Sequence, residues 1–332
     1  MRYVFIFVIS LLFSCKETYE VPNHTPGVVR VIDGLLMTAY GEGGLIIANE
    51  NSGEVITQIF PPQGMNSIDD FDKDGDLIFV LDSRGRDYMA VFSFDGRAAD
   101  LVTKPLTVEG GPFNGISASN GNLVVSGGTT FLNRFKYSNN GELEGPVTFG
   151  RDRGHPDVLL SDDGQAAFIS TDFDGGVNGF GVTSLYIGDQ LQIPFIASEL
   201  RILESGITIG VTGPVGFPIQ TATYNDNLIV AHGGGLTIIS LIENYVFDTS
   251  TNVDIGISGV SLAMDSNIGY IIGYQGEIPT LVKVDLSDIS SPILVSSESL
   301  PTEGNIPTSI ALGDTDIYIA AGTAGLIVLP KN

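Results

Sequence analysis

Residues 228–239 read Leu228-Ile229-Val230-Ala231-His232-Gly233-Gly234-Gly235-Leu236-Thr237-Ile238-Ile239. Two other stretches align with them almost without gaps. One is Leu36-Met37-Thr38-Ala39-Tyr40-Gly41-Glu42-Gly43-Gly44-Leu45-Ile46-Ile47, and the other is Ile317-Tyr318-Ile319-Ala320-Ala321-Gly322-Thr323-Ala324-Gly325-Leu326-Ile327-Val328. Each is an apolar, β-rich strand, a glycine-rich turn, and a second apolar strand opening on Gly-Leu. The glycines supply the positive φ angles that tight hairpins need. The strands are continuously apolar rather than alternating, so both of their faces must be buried, as happens where sheets stack face to face.

Weaker copies fill the intervals, with equivalent strands starting near Leu77, Leu123, Ala167 and Tyr270. Successive starts at 36, 77, 123, 167, 228, 270 and 317 are 41, 46, 44, 61, 42 and 47 residues apart. A four-stranded propeller blade takes about 40–50 residues, so six steps join seven blades. The long step is too short for two blades, and its excess falls around 196–213, as a longer outer strand or an extra hairpin. Each landmark strand follows a matching element at 28–32, 67–71, 115–118, 157–160, 218–222, 260–263 or 308–312. A polar turn such as Asp72-Lys73-Asp74-Gly75, Ser161-Asp162-Asp163-Gly164 or Tyr224-Asn225-Asp226 usually separates the two. Strands a, b, c and d in each of seven radial sheets make an all-β, seven-bladed β-propeller over residues 28–332. Helical periodicity is absent, and the gaps have no room for helices. The last strand, 326–329, is a c strand, so ring closure needs a fourth strand from the N-terminal side, with 18–21 as the candidate.

Composition agrees. Of 332 residues 43% are hydrophobic and 16% charged, which excludes disorder and helical bundles rich in Ala, Glu and Lys. Fifteen Lys and Arg against 39 Asp and Glu give −24, a surface that phosphate backbones repel, so nucleic acid is excluded as a partner.

Residues 1–15 carry one cation, Arg2, then an apolar run from Tyr3 to Phe13, then Ser14 and Cys15. Eleven apolar residues are too few for a helix to span about 30 Å of hydrocarbon, and the pattern is that of a secretory signal. Cys15 is the single cysteine and has no partner for an intramolecular disulfide. Leu12-Phe13-Ser14-Cys15 resembles the bacterial lipobox, which implies cleavage after residue 14 and acylation of Cys15. Losing residues 1–14 removes Arg2 and moves the charge to −25. Residues 15–27 then read as a lipidated cysteine and a polar tether with two prolines, and several acyl chains hold such a protein stably on a bilayer. Lys16 stands where the inner-membrane retention signal would have Asp, which favours the outer membrane, with surface exposure open.

Leu281-Val282-Lys283-Val284-Asp285-Leu286-Ser287-Asp288-Ile289-Ser290-Ser291-Pro292-Ile293-Leu294-Val295 is similar to the LVIVD repeat, a strand–turn–strand that follows a glycine-rich hairpin. Asp74-Gly75-Asp76-Leu77-Ile78-Phe79-Val80-Leu81-Asp82-Ser83 with Val91–Gly96 resembles an NHL-type blade. Both resemblances imply a propeller, and the first implies an exported surface protein without an assigned reaction. Asp285 is matched by Asn49, Ser240 and Leu329 in sister blades, a spread that suits a turn former and not a shared ligand.

Chemistry has few carriers. Asp70-Phe71-Asp72-Lys73-Asp74-Gly75-Asp76 fits the start of a calcium loop, but position 12 is Leu81 and position 9 is Ile78, so a turn joining strands a and b is the favoured reading. Asp70, Asp72 and Asp74 stay as weak metal candidates, and a divalent cation such as Ca²⁺ is the one cofactor in view. The d–a and b–c loops of a propeller meet at one face, which gathers His155, Asp157, Asp172, Asp174, His232, Asp82, Arg84 and Tyr274 as a candidate funnel site. No Gly-x-Ser-x-Gly, phosphate loop or His-Glu-x-x-His is present. The expectation is a cell-envelope lipoprotein whose non-catalytic propeller binds a protein or glycan partner. With no Trp to stack on sugars, protein is slightly favoured. The alternatives are a propeller hydrolase or lyase with a divalent metal held near His155 and His232, and an accessory subunit of an envelope complex.

Overall fold

The computed structural model describes residues 27–83, 88–107, 113–127, 131–150, 158–172, 180–188, 195–202, 220–302 and 305–331. Among them the chain forms seven antiparallel sheets in sequence order. Blade 1 is Val28–Ile32, Leu35–Ala39, Leu45–Asn49 and Val55–Ile59. Blade 2 is Asp70–Asp74, Leu77–Asp82, Tyr88–Phe94 and Ala99–Thr107, and blade 3 is Phe113–Ser119, Asn122–Gly127, Phe131–Tyr137 and Leu143–Gly150. Blade 4 is Val158–Leu160, Ala166–Asp172, Phe180–Tyr186 and Phe195–Ile202. Blade 5 is Gln220–Tyr224, Asn227–His232, Gly235–Ile242 and Val246–Val253, and blade 6 is Ser258–Asp265, Ile268–Gln275, Ile278–Asp285 and Ile293–Ser299. Blade 7 has three described strands, Ser309–Leu312, Asp316–Ala320 and Leu326–Pro330. The segment 18–21, expected to complete it, lies outside the described residues, as does Cys15.

Strand b of blades 2, 3 and 5 is buried at every position, and the reason is visible in how its side chains are shared out. In blade 2, Ile78 and Val80 point into a cluster with blade 1, while Leu77, Phe79 and Leu81 point into a cluster with blade 3. Seven such clusters occupy the seven junctions between blades. The last joins Ala311, Tyr318, Ala320 and Leu326 of blade 7 to Val29, Leu36 and Ala48 of blade 1, which closes the ring. Glu50 reinforces that junction from a buried position. Its Oε1 accepts the Asp314 N–H at 2.8 Å and its carbonyl accepts the Tyr318 hydroxyl at 3.2 Å.

Two expectations shift. The inner strand of blade 2 is Asp70–Asp74 and not 67–71, so residues 72–74 of the supposed turn are strand, and the hairpin is the two-residue Gly75-Asp76. The calcium-loop reading of 70–76 fails for the same reason, because extended backbone does not curl around an ion. The long fourth step contains an eight-residue outer strand, Phe195–Ile202, and residues 203–219 lie outside the described set. Asp285 behaves as a turn former. Its Oδ1 accepts the Ser287 N–H at 2.8 Å, as Asn49 Oδ1 accepts the Ser52 N–H at 2.9 Å in blade 1.

Candidate functional site

The seven inner strands surround a central channel of about 460 Å³. Neighbouring inner strands belong to different sheets, so their backbone groups need partners other than ladder bonds. Polar side chains supply them in one rotational sense. Ser117 Oγ of blade 3 accepts the Leu160 N–H of blade 4 at 3.0 Å. Gln220 Oε1 of blade 5 accepts the Leu262 N–H of blade 6 at 2.9 Å. Ser261 Oγ of blade 6 accepts the Ile310 N–H of blade 7 at 3.1 Å, and Ser309 Oγ of blade 7 accepts the Val29 N–H of blade 1 at 3.3 Å. In blade 2 the acceptors are carboxylates: Asp70 Oδ2 takes the Ile116 N–H at 3.2 Å and Asp72 Oδ2 the Ala118 N–H at 2.8 Å. Arg30 of blade 1 meets Asp70 with its Nη2 at 3.0 Å from Oδ1, while its guanidinium lies 5.0 Å from the Phe71 ring centroid. Blade 4 puts Leu159 on the channel wall.

Asp70, Asp72 and Asp74 lie on alternate residues of one strand. Asp74 is drawn off the channel by the Tyr137 hydroxyl, which donates to its Oδ2. Burial raises the pKa of both Asp70 and Asp72; Arg30 and the donated N–H groups oppose the rise. Among the described residues no group of three or more His, Cys, Asp or Glu side chains converges as a ready metal set.

At the face formed by the b–c and d–a loops, the sequence-derived candidates that are described do not come together as one constellation. Asp82 ends strand b of blade 2 fully buried; its Oδ2 accepts the Asn66 N–H at 2.6 Å and its Oδ1 the Ser67 hydroxyl at 2.9 Å. His232 ends strand b of blade 5 and is also buried. Its Nδ1 accepts the Gly234 N–H at 3.0 Å, which assigns the proton to Nε2. Nε2 then donates to Thr237 Oγ1 at 2.8 Å, and Thr237 donates to Asn252 Oδ1 at 2.7 Å. Burial pushes the His232 pKa down to about 4, so the ring is neutral and both nitrogens are engaged by the fold. Tyr274 lies near the end of strand b of blade 6, part-buried, its pKa raised by burial, with no hydrogen-bond partner for its hydroxyl among the described residues. Asp172 is the last residue of strand b of blade 4, paired in register with Phe180. His155, Asp157, Asp174 and Arg84 lie outside the described residues.

Sequence reasoning missed the channel ring and one further residue. Arg134, in strand c of blade 3, is fully buried; Nη1 donates to the Ile187 carbonyl at 2.6 Å, and Nη2 to Gly188 O at 2.7 Å and Asn122 Oδ1 at 2.9 Å. It thereby ties blade 3 to the c–d loop of blade 4. The one available signal for the ring was a lone charge, Arg30, inside Val28-Val29-Arg30-Val31-Ile32, facing an Asp-x-Asp strand one blade on.

The chain is similar to the crystal structure of the Myceliophteria thermophila Cps50 (Swd1) β-propeller domain, with a TM-score of 0.69, 9% identity, and 95% of this chain and 99% of that one covered. It is also similar to the computationally designed Ika8 protein, with a TM-score of 0.57, 11% identity, and 95% and 98% covered. No family model and no curated protein matches this sequence. At these identities the shared property is the fold, a seven-bladed β-propeller with four-stranded antiparallel blades. Membership of the LVIVD family stays a resemblance.

Proposed function

We propose that this chain is a cell-envelope lipoprotein, anchored through acylated Cys15, whose propeller is a non-catalytic module that binds a protein partner. The observation that carries the reading is the engagement of its described candidate groups: the His232 ring nitrogens and the Asp82 carboxylate are held by the protein's own turns, so neither is available as a base or ligand. The signal-like segment, the single cysteine and the likeness of 281–295 to an LVIVD repeat support export and anchoring.

A contact surface is at hand on the outer strand of blade 6. Ile293, Leu294 and Val295 are 62%, 51% and 56% exposed on an edge strand without Pro or Lys, the kind of edge that accepts an added strand from another protein. The test is cross-linking in intact envelopes with full-length protein as bait. A protein captured by the parent and lost from Leu294→Glu, with an unchanged melting temperature, supports the reading. A specific glycan hit with no such protein assigns the partner to carbohydrate. Failure of both, alongside turnover by the purified chain, overturns it.

A further inference from the structure

A cavity of about 760 Å³ opens at the junction of blades 4 and 5, on the face that carries the a–b and c–d turns. Its wall is aromatic and apolar. Tyr245 meets Phe168 edge-on with ring centroids 6.0 Å apart, and Leu241 and the exposed Ile242 continue the surface. Asn244 and Tyr245 both hold φ near +60° in a c–d turn where blades 1, 2 and 3 place Gly53, Gly96 and Gly141. Two side-chain-bearing residues in that region cost strain, and what the strain delivers is the Tyr245 ring on the cavity wall.

Four carboxylates share the cavity with that ring, and among the described residues no Lys or Arg lines it. They are not equivalent. Asp163 is engaged by the fold: its Oδ1 accepts the Ser161 hydroxyl at 2.7 Å and the Gln165 N–H at 3.0 Å, and its Oδ2 accepts the Tyr245 hydroxyl. Asp162, Asp226 and Glu243 are exposed and form no ion pair among the described residues.

A buried oxygen at the same junction also lacks a partner. Ser184, on strand c of blade 4, is fully buried, and its Oγ has no hydrogen-bond partner among the described residues. It is the cross-strand partner of Phe168, so both side chains leave the sheet on the side that packs against blade 5. Phe168 lines the cavity, which places an unmet acceptor next to its deep wall. A planar cation on an apolar stem answers all three features. A guanidinium stacks on an aromatic ring, forks to carboxylates and donates several N–H groups, while its methylenes lie on apolar surface.

We propose that this cavity receives an arginine side chain of the protein partner, with the ring of Tyr245 as its platform and Asp226 and Glu243 as its counter-charges. The inference rests on the reading of the propeller as a protein-binding module and supplies the chemistry of the partner.

The probe is the peptide acetyl-Gly-Gly-Arg-Gly-Gly-amide, titrated against the full chain in detergent at about 0.15 M salt and followed by broadening of the peptide NMR signals. The same peptide with citrulline, a neutral isostere, is the comparison. The arginine peptide should bind, and the citrulline peptide at least about tenfold more weakly. The double substitution Asp226→Asn with Glu243→Gln should weaken binding about tenfold without lowering the melting temperature, since it removes like charges. Tyr245→Ala should weaken it about two- to fivefold. Glu54→Gln with Glu298→Gln, an equal loss of charge on blades 1 and 6, should leave binding unchanged. No binding of the arginine peptide, equal binding of citrulline, or equal weakening by the control pair overturns the inference. Envelope cross-linking separates this from the broader reading. A protein captured by the parent and equally by the Asp226→Asn, Glu243→Gln variant overturns the arginine site and leaves the binding module standing. Arginine-peptide binding with no protein captured by the parent supports the cavity and counts against the module.

Discussion

Replacing Arg134 by Ala tests whether blade 3 is stapled to blade 4 by one guanidinium. The substitution orphans three oxygens, those of Ile187, Gly188 and the Asn122 side chain. Leaving a buried acceptor unmet costs about 1–3 kcal/mol, so three cost about 3–9 kcal/mol before any relief. Releasing the cation from its buried site offsets part of this, and water entering the cavity offsets more. A net loss of about 3 kcal/mol lowers the melting temperature by roughly 5 °C in a domain of this size. Scanning calorimetry and urea unfolding give the answer, and Arg134→Met separates packing from hydrogen bonding because it keeps most of the volume. Both variants should melt well below the parent. If Arg134→Met melts as high as the parent or higher, the guanidinium is a buried charge that the fold tolerates, and the staple argument is refuted.

The His232 pKa of about 4 lies below its unfolded value of 6.5, so the unfolded chain binds the extra proton between those values and stability falls as pH drops through that window. The full effect is about 3 kcal/mol, and His232→Gln should flatten it in urea melts recorded from pH 7 to 4. Asp70 and Asp72, with raised values, act in the opposite sense, their contribution being lost as pH rises, so the slope removed by His232→Gln is the diagnostic quantity. Gly44→Ala should cost more than about 3 kcal/mol, because φ is +82° and a Cβ would sit 2.1 Å from the Ile59 carbonyl oxygen of strand d. Gly325→Ala, at φ +79° and ψ −153° with nothing within 4 Å, should cost less, about 1–3 kcal/mol of backbone strain alone, and equal losses in thermal melts would contradict the difference. Ile319→Asp places a carboxylate in the fully buried cluster between blades 6 and 7 and should abolish cooperative unfolding, losing more than about 4 kcal/mol. An unchanged melt would mean that this blade is misplaced.

The blades were legible in the sequence because two local signals repeat together: glycines at the b–c hairpin and apolar runs without alternation. Gly44 and Gly235 show why the first signal is strong, since the carbonyls of Ile59 and Val253 on strand d leave no room for a side chain. The inner strand of blade 2 was obscured because Asp70, Asp72 and Asp74 imitate turn chemistry; a carboxylate that accepts the backbone N–H of the next blade looks the same in sequence as one that caps a loop. The channel ring was invisible for a related reason. Ser117, Gln220, Ser261 and Ser309 are single polar residues inside apolar strands, at different heights, and no spacing rule links them. His232 stood out as a candidate ligand because it ends strand b at the loop face, although Tyr40 and Ala321 hold the same place in sister blades. Thr237 and Asn252, which satisfy it, lie on two other strands, so only the folded sheet shows it engaged.

The account rests on a propeller held at the envelope by one acylated thiol. Mass spectrometry of the protein extracted with detergent from the cells that make it is the most direct test. The account predicts a chain lacking residues 1–14, with a thioether-linked diacylglyceryl group on Cys15 as its first residue. A chain that keeps Met1, or ends in an unmodified Cys15, would contradict it.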